Sequence, residues 1–189
     1  MSKKSGPGSS YVAVLASDHN DAYAVALAIV FPLGITVGSI GLYHILGGAT
    51  GSQLALIAAV VNVVATAQLL AMLMVQMAVS TLVPQPDAGL KSVWLGLDFA
   101  WDLYIGAGTL LFGLAVFGRR GLGAWLGSPG LVIGALLLTF NIATFPVPPT
   151  NAGLVDVGPL LGLWYLLVFG RLGVSALLRE GCNRDRPLR

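Results

Sequence analysis

The chain has 189 residues, of which 56% are hydrophobic and 10% charged, with a formal net charge of +2. A soluble domain carries about 25% charged residues, so this chain has too few polar groups to cover a water-facing fold. The composition is that of an integral membrane protein with one domain, and the modest charge gives no nucleic-acid-binding surface.

The first 20 residues form a polar or interfacial segment. "MSKKSGPGSS" is basic and rich in Gly and Ser, and Tyr11–Ala16 is apolar but too short to span. No short apolar core with a small-residue cleavage site follows, so no cleaved signal peptide is expected. Five apolar segments then make a transmembrane domain over 21–179, at about 22–46, 53–83, 93–117, 122–145 and 157–178. Each approaches or exceeds the roughly 20 residues that cross a bilayer core of about 30 Å. The first contains Pro32, an expected kink. The second ends at "PQPD" and is long enough to tilt. Lys91 and the pair Arg119–Arg120 bound the third, "PVPP" ends the fourth, and the fifth leads into a basic tail over 180–189. None of the segments alternates apolar and polar residues as a barrel strand does. A backbone in lipid must satisfy its own hydrogen bonds, so these are helices. The expected fold is all-α, a polytopic transmembrane helix bundle of five spans.

Cytoplasmic loops carry the excess of Lys and Arg. With the N-terminus outside and the C-terminus inside, Arg119–Arg120 and the arginine-rich tail are both cytoplasmic, whereas Lys3, Lys4 and Lys91 are outside. The expected location is a bacterial cytoplasmic (inner) membrane. Glycines at Gly34/Gly38, Gly123/Gly127, Gly130/Gly134 and Gly158/Gly162 have the spacing that lets membrane helices approach closely.

Ionisable groups inside a span are costly and mark functional candidates. Asp102 is the tenth residue of its segment, so about 14 Å in at 1.5 Å per residue. Asp98 lies one turn shallower on the same face. Two carboxylates so placed repel if both ionise, which calls for a shared proton, a water-filled cavity or a bound cation. Gln76, Asn141 and Asp156 reach the same outward half from three other spans, with Gln68 and Asn62 deeper. Asp98, Asp102, Gln76, Asn141 and Asp156 are therefore the ligand- or proton-binding candidates. Each also has a structural reading: a protonated Asp bonding to Gln76 or Asn141 ties helices together, and Asp156, just before Val157-Gly158-Pro159, is placed to cap a helix.

Other polar residues read as structural. His44 has only His19 for company, so no metal or haem site is expected. Met72, Met74 and Met77 fill apolar space, and Arg171 is placed to snorkel. The single Cys182 allows neither an intrachain disulfide nor a CxxC pair. No mid-span lysine, histidine box, HExxH, P-loop or GxSxG is present. The reading leans away from an enzyme and calls for no cofactor.

The stretch "DFAWDLYIGAGTLLFGLAVFGRRGLGAWLGSPGLVIGALLLTFNIATFP", Asp98 to Pro146, resembles a family of bacterial multi-pass integral membrane proteins, a domain family of unknown function. Asp102, Ile105–Gly106, Phe112–Gly113, Arg119–Arg120 and Leu126–Gly127 carry the resemblance. It implies six spans with both ends inside. A chain lacking the first span would have five, with its N-terminus outside.

The functional expectation is a non-enzymatic, transport-related protein with an outward-half polar pocket for a proton, cation or small polar ligand. The alternative is an accessory subunit of a larger membrane complex, meeting partner subunits or its own copies through Gly-rich helix faces. A membrane enzyme using the aspartate pair ranks third. The partner common to all three is the lipid bilayer.

Overall fold

The computed structural model describes residues 21–46, 51–82, 88–118, 123–147, 149 and 152–184, with side chains for 30–46, 53–75, 89–90, 92–118, 123–147, 149 and 152–175. The N-terminal segment, the Arg119–Arg120 loop, the last five residues of the tail and the side chains of Gln76 and Lys91 lie outside these residues. The described residues form five helices: α1 Asp21–Leu46, α2 Gly51–Leu82, α3 Ala88–Phe117, α4 Gly123–Thr144 and α5 Gly158–Arg184. The described residues contain no strand.

Four helices are long and apolar enough to cross a membrane, over Gln53–Val75, Ser92–Phe117, Gly123–Thr144 and Gly158–Ser175. These are the hallmarks of an integral membrane protein. The apolar part of α1 among the described side chains is shorter, Val30–Leu46. α1 continues as helix through Pro32. On α4, Trp125 is 70% exposed, and Phe145 just beyond its end is 64% exposed. Twenty residues of helix separate them by about 30 Å, the thickness of a bilayer core. Trp favours a membrane–water boundary, which suits the exposed Trp125 near the start of α4.

Chain order is also ring order. α3 packs along α4 and along α2, α1 packs on α2, and α5 touches both α1 and α4 at fewer points. Glycine makes the first of these contacts possible. A Cβ added to Gly113 on α3 would lie 2.8 Å from the backbone N of Leu131, and one added to Gly134 on α4 would lie 2.7 Å from the carbonyl O of Gly106. Backbone therefore meets backbone along this seam. Without a hydrophobic drive between helices in lipid, such contact supplies the packing energy. Gly123, Gly127 and Gly130 are also closely covered, whereas Gly34 has open space around it and Gly162 nearly so. Two of the four paired spacings are thus packing seams throughout.

The seam makes a clear prediction for stability. Gly113→Ala and Gly134→Ala should each lower the free energy of detergent unfolding by roughly 1–3 kcal/mol, the usual cost of overpacking. Gly96→Ala, on the same helix with nothing within 4 Å, should not. Equal stability of all three variants in an unfolding titration would contradict the backbone-to-backbone seam.

Candidate functional site

The α3–α4 seam positions the acidic pair. Gly106 of α3 faces Leu137 and Leu138 of α4. One turn further toward the start of α3, and one turn further toward the end of α4, the same antiparallel register sets Asp102 beside Asn141. The Asn141 side chain is within hydrogen-bonding reach of the Asp102 carboxyl. Asn141 is 1% exposed and also donates from Nδ2 to the carbonyl of Leu137 at 3.0 Å. Asp98 and Asp102 are half-buried, one turn apart.

Asp156 approaches from a third element. It is exposed and just precedes α5, and its Oδ1 accepts the Gly158 N–H at 2.8 Å. That bond is an N-terminal cap, satisfying one of the orphan amides at the helix start. From there Asp156 lies close enough to act electrostatically on both Asp98 and Asp102. The fold thus gathers Asp98, Asp102, Asn141 and Asp156 at one end of the bundle. Gln76, the remaining sequence candidate, has its side chain outside the described residues. No described basic side chain is among the groups that act on the aspartate pair. Among the described residues no three His, Cys, Asp or Glu side chains converge to hold a metal ion. Aromatic side chains wall this end: Phe99 packs against Phe145 with ring centroids 4.8 Å apart and the rings tilted by 53°, and Trp94, Leu97 and Trp101 pack on Leu69, Met72 and Leu73 of α2.

A second polar group, which sequence reading gave only through Asn62, sits deeper. Thr109 lies two turns beyond Asp102 on nearly the same face of α3. It joins Ser39 of α1, Asn62 of α2 and Tyr165 of α5, all buried. Asn62 donates from Nδ2 to Ser39 Oγ at 2.9 Å and to Tyr165 Oη at 2.7 Å. Thr109 Oγ1 donates to the Ile105 carbonyl at 2.6 Å and lies 3.1 Å from Tyr165 Oη. Since the threonine proton is already used, the tyrosine hydroxyl is the donor to Thr109. The chain of donors therefore runs Asn62, Tyr165, Thr109 and ends on a backbone carbonyl, which takes no proton onward. This knot ties four helices together and is not a proton path. Thr36 and Thr66 add a further link, hydroxyl to hydroxyl at 2.8 Å, between α1 and α2.

The third lone-pair group of the knot is unusual. Asn62 Oδ1 has no hydrogen-bond partner. It is covered by the backbone of Gly108, where an added Cβ would collide with it. Glycine at 108 thus lets α3 approach the Asn62 amide, leaving a Cα–H as its weak donor.

Comparison with known protein families, characterised proteins and solved structures finds none that this chain matches.

The knot can be weighed by a double-mutant cycle. Asn62→Ala and Tyr165→Phe should each destabilise the protein, with a coupling energy of about 1 kcal/mol, at the upper part of the range for interhelical hydrogen bonds in membranes. Additive losses in reversible detergent unfolding would show that the two groups do not interact.

Proposed function

We propose that this is a transport-related, non-enzymatic membrane protein of the bacterial cytoplasmic membrane. The acidic end of the bundle binds a proton, a monovalent cation or a small polar cation. The carrying observation is the gathering of Asp98, Asp102 and Asp156 from two different elements, with the buried Asn141 amide beside Asp102 and no described cation among the groups acting on the pair. An intramembrane carboxylate without a basic partner needs a proton or a cation to lower its cost. Acidic side chains also concentrate cations at the mouth they line.

Orientation follows from charge. With the N-terminus outside, the acidic end faces outward, and Arg119–Arg120 and the arginines of the tail lie on the cytoplasmic side. Arg171 supports this arrangement. The Trp164 indole reaches toward the start of α4 and donates to the Leu126 carbonyl at 2.8 Å. Arg171 is exposed and lies two turns beyond, toward the end that carries the Arg119–Arg120 loop.

A second reading, an accessory subunit, draws on the open glycines. Gly34 and Gly41 on α1 and Gly170 and Gly173 on α5 have no atom within 4 Å of an added Cβ. Helices with such faces admit close neighbours. A partner co-purifying in mild detergent supports that reading, and a single monodisperse species counts against it.

The first reading is tested in proteoliposomes with an entrapped pH dye and an imposed, inside-negative potential. The wild-type chain should take up protons, and Asp102→Asn should cut the rate at least about tenfold, a factor worth about 1.4 kcal/mol, while remaining helical and monodisperse. Asp98→Asn should reduce it as well. Uptake equal to wild type in Asp102→Asn would sink the assignment.

A further inference from the structure

α5 is attached to the bundle differently from the other helices. α2, α3 and α4 interlock along their lengths, with Gly108, Gly113 and Gly134 admitting neighbouring backbone or amide into direct contact. α5 makes few close approaches to α1 and α4. Its contacts run through large side chains: Trp164 covers Gly130, and Phe169 covers Gly38. Among the described residues, every side-chain hydrogen bond from α5 to another helix leaves from two consecutive positions. Trp164 Nε1 donates to the Leu126 carbonyl at 2.8 Å, and Tyr165 Oη holds Asn62 and Thr109 at 2.7 Å and 3.1 Å.

Consecutive anchors make a single point of attachment. Val157, Leu161, Val168 and Leu172 of this region also face inward. In lipid, however, apolar side chains gain no hydrophobic drive from choosing a helix over an acyl chain. Such contacts slide where hydrogen bonds do not. On either side of residues 164–165, α5 has no side-chain hydrogen bond to another helix among the described residues, while the body formed by α2, α3 and α4 is held by close backbone approach.

We propose that α5 is a moving arm that pivots on Trp164 and Tyr165 against a rigid α2–α3–α4 body. The pivot lies seven residues from the start of the helix at Gly158, a lever of about 10 Å. Asp156 rides on the end of that lever, close enough to act electrostatically on Asp98 and Asp102. Tilting α5 outward separates like-charged groups and opens the acidic end, and neutralising them lets it close. This coupling to the mouth rests on the acidic-end reading above, whereas the pivot itself does not.

Paired spin labels in lipid nanodiscs test the arm. In a Cys182→Ser background, Leu160→Cys with Leu70→Cys reports α5 against α2, and Leu70→Cys with Ile142→Cys reports motion within the body. All three positions are exposed. The α5 pair should give a distance distribution at least about twofold broader than the body pair, as expected of one element shifting on another. Tyr165→Phe should broaden it further and leave the body pair unchanged. Thr109→Val, which removes a knot partner but keeps the tyrosine, should do the same and serves if Tyr165→Phe does not fold. Asp156→Asn keeps a good capping residue and removes the charge, so it should shift the α5 pair to shorter distance. An α5 pair as narrow as the body pair, or one unmoved by both knot variants, overturns the pivot. A pair unmoved by Asp156→Asn overturns the charge coupling. Proton uptake can fail without touching the spin-label result, so the two proposals are separable.

Discussion

The close approach of α3 and α4 is the constraint from which the rest of the structure follows. Two backbones can meet only where no side chain stands between them, and Gly113 and Gly134 leave that space at the points of contact. Their contact fixes the register of the two helices. That register sets the Asn141 amide beside the Asp102 carboxyl, although nothing in the local sequence of either residue requires it. A single Cβ at Gly113 or Gly134 would push the helices apart and separate amide from carboxyl, even with both functional residues intact.

Polar groups inside the bundle divide into two kinds. In the Asn62–Tyr165–Thr109 knot every donor is committed in one direction and the series ends on a carbonyl. It holds helices and transfers nothing. At the acidic end the balance is reversed. Acceptors outnumber donors, no described cation acts on the aspartate pair, and Asp98 and Asp102 keep partial exposure. The knot lies deeper in the bundle and the acidic group at one end of it, with α5 contributing Tyr165 to the first and Asp156, just before its start, to the second.

Much of this was legible in the sequence, for a physical reason. A bilayer forces long apolar runs into helices, so helices with nearly the expected bounds appear where hydropathy placed the five segments. Aspartates are conspicuous in such runs, and Asp156 before Gly158-Pro159 has the chemistry of a cap and caps. The knot was hidden beyond Asn62. Ser39, Thr109 and Tyr165 are ordinary residues in membrane helices, and whether their hydroxyls meet depends on the rotation of four helices about their axes. Thr109 falling on the Asp102 face was the one available signal. The glycine spacings were equally ambiguous, since Gly127 and Gly34 occupy the same pattern but only Gly127 is covered by a neighbouring backbone.

The central claim is that Asp102 lies inside a spanning helix yet faces a water-reached mouth at one end of the bundle. Reaction of a cysteine at that position with a membrane-impermeant maleimide tests it most directly, using a Cys182→Ser background in sealed vesicles of known sidedness. The account predicts that Asp102→Cys is modified from the outer face only, while Leu70→Cys, on the exposed apolar surface of α2, is protected from both. Protection of Asp102→Cys from both faces, or labelling from the cytoplasmic face, would contradict it.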